Sequence, residues 1–126
     1  MQIRLSNAID KPIYEQITEQ IKQAILTGTL KPGDGLPSIR NLAKELKISV
    51  MTTKRAYSDL ERDGFIVTFP GKGSFVAERN QDFLREELLR QVEEHLQKAV
   101  NIAKLAGIQG QEILDLLSLL IEEELE

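Results

Sequence analysis

Residues 48–76, ISVMTTKRAYSDLERDGFIVTFPGKGSFV, limit the possible folds most sharply, because within them the apolar pattern switches once from a helical to a strand period. Thr53, Ala56, Tyr57 and Leu60 recur at i, i+3, i+4 and i+7, the spacing of one buried helical stripe. Met51, Arg55, Ser58 and Arg62 fall on the opposite face, with Thr52 and Lys54 on the flanks. Ser49 stands at the start, where a hydroxyl can satisfy a free N–H of the first turn. Gly64 can end the helix in the left-handed conformation. Beyond it, Phe65, Val67 and Phe69 alternate with Ile66 and Thr68, which predicts a strand burying the face of residues 65, 67 and 69. Pro70-Gly71-Lys72-Gly73 predicts a turn, and residues 74–77 the returning strand.

Charge along this helix is segregated. Lys54 and Arg55 lie in its first half, Asp59, Glu61 and Asp63 in its second. A helix N-terminus attracts anions through its free N–H groups and dipole, and the two cations add to that attraction. The N-terminal half therefore suits a polyanion and the C-terminal half repels one. Lys72, at a flexible glycine-flanked tip, suits a phosphate backbone or a minor groove; a solvated lysine on an ordinary hairpin is the plainer alternative.

Upstream, residues 2–5 form a short extended start. Asp10-Lys11-Pro12 predicts a helix opening with Asp10 as cap and Pro12 in the first turn. Ile13, Tyr14, Ile17, Ile21, Ala24 and Ile25 mark one face of that helix, and Gly28 stops it. The breaker-rich run Leu30-Lys31-Pro32-Gly33-Asp34-Gly35 is a loop. Ser38 then caps a second helix, with Leu42, Ala43 and Leu46 inward and Arg40, Asn41, Lys44, Glu45 and Lys47 outward. Only Lys47 and Ile48 separate it from the helix that Ser49 opens. Two helices so closely joined form a helix-turn-helix, a loose signal by itself; a glycine-tipped hairpin directly behind it supplies a wing and narrows the assignment.

From about Gln81 an apolar stripe of helical period runs through Leu84, Leu88, Val92, Leu96, Ala99 and Ala103, broadened by Phe83, Leu89, Val100 and Ile102. Gly107-Ile108-Gln109-Gly110 is a turn, and QEILDLLSLLIEEELE a second helix carrying Ile113, Leu114, Leu116, Leu117, Leu119, Leu120 and Ile121. One partner helix cannot hide so much leucine, so part of it is expected to meet another chain. The simplest closure is a two-fold dimer of antiparallel helix pairs, with Leu88, Val92, Leu96, Ile113, Leu116, Leu117 and Leu120 as its contacts. A monomer whose hairpin folds back on its own first domain is the alternative. The expected fold is thus mainly α with a small β-hairpin: a winged helix-turn-helix over 1–78, then an antiparallel two-helix dimerisation hairpin over 79–126.

Composition closes other routes. The chain has 126 residues and no cysteine, which excludes disulfides, thiolate metal sites and cysteine nucleophiles. No apolar run resembles a signal peptide or approaches the roughly 20 residues of a membrane span, so a cytoplasmic protein without membrane contact is expected. The net charge of −4 hides a split: residues 1–79 hold 12 basic against 9 acidic side chains, residues 80–126 hold 4 against 11. The acidic excess belongs to the C-terminal third. His95 stands alone as the one histidine and is no metal site. Glu93-Glu94 and Glu122-Glu123-Glu124 are solvated helix faces, and no phosphate-binding loop or nucleophile motif is present. No cofactor and no enzymatic activity are expected.

The stretch from Lys11 to Ala77 resembles the N-terminal winged helix of GntR-family bacterial transcriptional regulators. The likeness is carried by Pro12-Ile13-Tyr14, Leu30-Lys31-Pro32-Gly33-Asp34, Leu36-Pro37-Ser38, Leu60-Glu61-Arg62-Asp63-Gly64 and Gly71-Lys72-Gly73-Ser74-Phe75-Val76. Leu-Pro-Ser-Ile-Arg and the short tail resemble the YtrA subfamily. The resemblance implies binding of double-stranded DNA as a homodimer at operators with inverted-repeat character. It also implies DNA contacts at Arg40, Ser49, Thr52, Lys54, Gly71, Lys72 and Gly73. Arg40 can fork onto a phosphate, Ser49 can donate to one, Thr52 offers a hydroxyl and a methyl, and Lys54 reaches guanine acceptors or a phosphate. Val50 stands where many members have Arg, and Met51 where YtrA-like members often have Asn, so Met51 is expected to make an apolar base-edge contact. Arg55, directly outward, is a DNA contact or part of a solvated face. The tail is too short for the effector domains of larger relatives, and any small-molecule effector would sit between helices or at the dimer interface. The competing function is a winged-helix protein-interaction module, using the leucine-rich hairpin, without specific DNA binding.

Overall fold

The computed structural model describes residues 1–78 and 81–125, apart from the side chain of Gln81. The expected 78/79 domain boundary borders the segment 79–80 that lies outside them. The chain divides into two compact units, Met1–Gln81 and Asp82–Glu126.

In the first unit α1 (Ile13–Leu26), α2 (Ile39–Leu46) and α3 (Val50–Arg62) precede the antiparallel strands β1 (Ile66–Phe69) and β2 (Gly73–Val76). Helix α3 is the hub, packing against α1, α2 and β1. Its stripe Thr53, Ala56, Tyr57 and Leu60 is buried as the spacing predicts, and it meets Ile17, Ile21 and Ile25 of α1, Leu42 and Ala43 of α2, and Phe65, Ile66 and Val76 in one core. Ser38 accepts from Asn41 N–H at 3.1 Å to cap α2, and Ser49 accepts from Thr52 N–H at 3.0 Å to cap α3. Lys47 ends α2 in the left-handed conformation (φ 57°, ψ 48°). Gly64, at φ 82°, ends α3, and the Phe65 N–H returns to the Leu60 carbonyl at 2.9 Å.

Two expectations need correction. Asp10 does not cap α1: Pro12 occupies the N-cap and makes no side-chain cap bond. The buried amide of Gln16 organises this region instead, accepting from Ser6 N–H at 3.0 Å and donating to the carbonyls of Ser6 (2.9 Å) and Lys11 (3.0 Å). Gln20 fastens Arg4 in the same way, through both its N–H (2.9 Å) and its carbonyl (2.8 Å). Nor does β1 bury the face of 65, 67 and 69. Ile66 pairs with Val76 and both are buried, whereas Val67 is half-buried and Phe69 is 49 % exposed. Phe65 is buried because it sits at the helix-to-strand corner, and burial then falls away along β1 from Ile66 to the exposed Thr68 and Phe69. The loop after α1 runs beside β2, with Gly33 and Leu36 N–H donating to Val76 and Ser74 and Val76 N–H to Asp34. That third track ties the hairpin to the core.

The second unit contains α4 (Gln81–Ala106) and α5 (Gly110–Glu124), joined by the expected glycine turn. Ala103 is buried, but no residue of α5 is. Leu88, Val92, Leu96, Leu116 and Leu120 are between 38 and 59 % exposed, and Ile113 and Leu117 are half-buried. Among the described residues no helix is long and apolar enough to cross a membrane.

Candidate nucleic-acid interface

Helix α3 is presented by two anchors. Its cap fixes the N-terminus, and Tyr57, buried mid-helix, donates its hydroxyl to the Pro37 carbonyl at 2.7 Å, tying α3 to the approach to α2. Burial raises the Tyr57 phenol to about 12, so it stays a protonated donor throughout the physiological range. The outer face is thereby left to solvent, with Met51 72 % exposed.

The cap also decides what the first turn offers. Ser49 accepts from Thr52 N–H and donates its own proton to Thr52 Oγ1 at 2.7 Å. Both functions of the Ser49 hydroxyl are engaged, and the proton left over is that of Thr52. Of this pair, Thr52 is therefore the hydroxyl free to donate outward.

The cations follow the same polarity. Arg40, Lys54 and Lys72 are exposed and form no ion pair among the described residues. At the far end of α3, Lys22 donates to Asp63 at 3.0 Å, and Arg62 pairs with Asp59 at 3.3 Å and Asp63 at 3.2 Å. Burial opposes the Asp63 charge, but these hydrogen bonds outweigh it and hold the carboxyl below its usual range. Asp59 and Asp63 at the C-terminal end are thus neutralised internally, while Lys54 at the other end forms no ion pair among the described residues.

Arg55 is the residue that periodicity leaves ambiguous. Its guanidinium lies over the ring of Tyr14, 3.8 Å from the centroid. The apolar stripes place both tyrosines on inward helix faces; Tyr57 is buried there, while Tyr14 is half-buried and serves as a platform for an arginine.

At the wing, Phe69-Pro70-Gly71-Lys72 is a type II turn. Lys72 N–H donates to the Phe69 carbonyl at 2.9 Å and Gly71 takes φ 79°, which an L side chain rarely adopts. Thr68 and Ser74 share a hydroxyl hydrogen bond at 2.8 Å below the tip. Lys72 is left exposed on a short rigid turn whose own N–H is already used. In the second unit His95 is exposed, its Nδ1 2.7 Å from the Gln91 carbonyl, and the described residues contain no group of three or more acidic or histidine side chains suited to a metal.

A capped helix with a cationic leading end, buttressed by two others and flanked by a hairpin, defines a winged helix-turn-helix DNA-binding regulator. Residues 13–76 match the family described as bacterial regulatory proteins, gntR family, and the chain belongs to the GntR family. It is 37 % identical over 107 residues to the HTH-type transcriptional repressor YtrA of Bacillus subtilis, covering 85 % of this chain and 82 % of that one. A solved transcriptional regulator from Oenococcus oeni superposes with a TM-score of 0.77 at 28 % identity, over 93 % of this chain and 97 % of that one. The DNA-binding domain of AraR, solved in complex with operator ORE1, superposes with a TM-score of 0.52 at 30 % identity, over 61 % of this chain and 94 % of that one.

Proposed function

We propose that this regulator is a cytoplasmic repressor that acts as a homodimer on an inverted-repeat operator and carries out no chemistry of its own. A DNA-binding domain of residues 1–78 holds the contact surface. The N-terminal half of α3 enters the major groove, Met51 and Thr52 meet base edges, and Lys54 reaches a guanine or a phosphate. Arg40 and Arg55 contact the backbone, Ser49 orders the first turn, and Gly71-Lys72-Gly73 approaches the neighbouring minor groove. The observation that carries this reading is the exposed, capped leading end of α3, with Lys54 in no ion pair among the described residues beside a Met51 turned to solvent.

Homodimerisation rests on a helical domain of residues 79–126. A helix of the length of α5 is marginal by itself in water, and α5 has no buried residue within its own chain. Pairing Leu88, Val92, Leu96, Ile113, Leu116, Leu117 and Leu120 with a second copy removes that apolar surface and sets two α3 helices for two half-sites.

A gel-shift titration of the full chain against genomic fragments at two salt concentrations tests the function. Specific retention that weakens steeply with salt is expected. Lys54→Ala and Arg40→Ala should each cost about 1–3 kcal/mol of binding. Retention of no fragment at either salt would favour the protein-interaction module instead.

A further inference from the structure

We propose that Tyr14 is a positioning residue for DNA binding: its ring holds the Arg55 guanidinium, before DNA arrives, in the pose that contacts a backbone phosphate. The proposal rests on the reading of α3 as the helix that enters the major groove. Tyr14 stands in the first turn of α1, where its carbonyl accepts from Thr18 Oγ1 at 2.8 Å, and α1 packs directly on α3. Its ring is thus tied to the core and not to the mobile tip of a side chain.

The two flanks of α3 differ. Lys54 shares its flank with Tyr57, whose hydroxyl bonds Pro37 ahead of α2. Arg55 lies toward the other flank, against α1, and so does Asp59 one turn further on. A helix in the major groove turns its outer face to the bases and its flanks to the two phosphate strands that border the groove. Arg55 drawn onto the α1 flank is therefore directed at backbone.

Stacking suits that task. A guanidinium over a ring, its Cζ 3.8 Å from the centroid, can engage the ring through its face and leave the N–H donors along its edge for a phosphate. Arginine has large rotamer freedom to lose on binding, and a side chain already fixed in its bound pose loses less of it. Of the carboxylates lining the hollow around Arg55, Asp59 is held by Arg62 at 3.3 Å and Glu19 by Lys11 at 2.8 Å; Glu15 lines it too, and Arg55 itself has no ion pair among the described residues.

Fluorescence anisotropy of the full chain on a mixed-sequence duplex of about 30 base pairs, at about 50–200 mM KCl, tests the idea, because phosphate contacts need no particular operator and each one lost flattens the slope of log K against log salt by about 0.9. Tyr14→Phe keeps the ring and should bind as the wild type does. Tyr14→Leu keeps apolar volume without the ring; it should bind at least about threefold more weakly, with a flatter slope approaching that of Arg55→Ala. The double variant should be no weaker than Arg55→Ala, since both changes remove one contact. Tyr14→Leu binding like the wild type, or weaker with an unchanged slope, overturns the proposal, because a tyrosine that only supports the fold would not alter the count of phosphates engaged. Should Tyr14→Leu fail to melt cooperatively, Arg55→Lys carries the test: it keeps the charge but not the planar stack. A loss of about threefold or more at a near wild-type slope then supports the proposal, and full affinity overturns it. Arg55→Ala without effect beside a weakened Lys54→Ala removes the Tyr14 role and leaves α3 as the groove helix. Indifference of Lys54→Ala, Arg40→Ala and Arg55→Ala together refutes the reading of α3 as well.

Discussion

Tyr57→Phe is the sharpest probe of how α3 is held. It deletes one oxygen and leaves the ring, buried at 4 % exposure, in place. What is lost is the 2.7 Å hydrogen bond to the Pro37 carbonyl. A hydrogen bond is worth about 0.5–1.5 kcal/mol net, and the half-buried Pro37 carbonyl loses its partner, so a destabilisation of about 1–2 kcal/mol is expected. In a domain of this size that corresponds to a melting temperature lower by about 5–15 °C. A second readout is independent of the first. The folded phenol titrates at about 12 against an ordinary value of 10.0, so folding raises the pKa. Both states keep the proton below the ordinary value, and the contribution is then constant. As pH rises past it, the unfolded chain ionises first and the stabilisation fades until the folded pKa is reached. The stability gap between wild type and Tyr57→Phe should therefore be flat at neutral pH and narrow above about pH 10. Urea unfolding of both proteins, followed by circular dichroism at a series of pH values, measures it. Equal midpoints at neutral pH, or a gap that does not change in alkali, would refute the claim that this hydroxyl fastens the helix.

Lys47→Gly should stabilise the protein by about 0.5–1 kcal/mol and raise the melting temperature by a few degrees, because Lys47 is the sole non-glycine at positive φ among the described residues; a lower melting temperature would contradict the strain argument. Replacing Leu116 and Leu120, 59 and 48 % exposed, together by Glu should convert a dimer at micromolar concentration to single subunits in sedimentation and weaken operator binding. Unchanged sedimentation would place the contact elsewhere.

What the sequence made legible was local. Ser38 and Ser49 announce their helices because a cap is a bond between near neighbours, and the stripe of α3 follows from one helical period. The turn at Pro70-Gly71 follows from backbone preferences alone. The misreadings come from longer reach. Asp10 has the right chemistry for a cap, but the buried Gln16 amide, tied to Ser6 ten residues away, decides how the chain enters α1. The face of β1 differs because Phe65 belongs to the corner after α3, so two successive residues are buried and the strand then runs out into solvent without alternating. In the candidate site, the exposure of Met51, Lys54 and Arg55 was legible from the helical period. The Arg55–Tyr14 stack, 41 positions apart in sequence, leaves no local signature, nor did the cap motif reveal that Thr52 would hold the spare proton.

Helix α5 burdens the lone chain with fifteen residues of structure, none of them fully buried within it. In the proposed dimer its order is borrowed from a second copy, and what supplies that copy is abundance. Through mass action, gene control by such a dimer would become a count of how many copies the cell holds, rising more steeply than in proportion to that number.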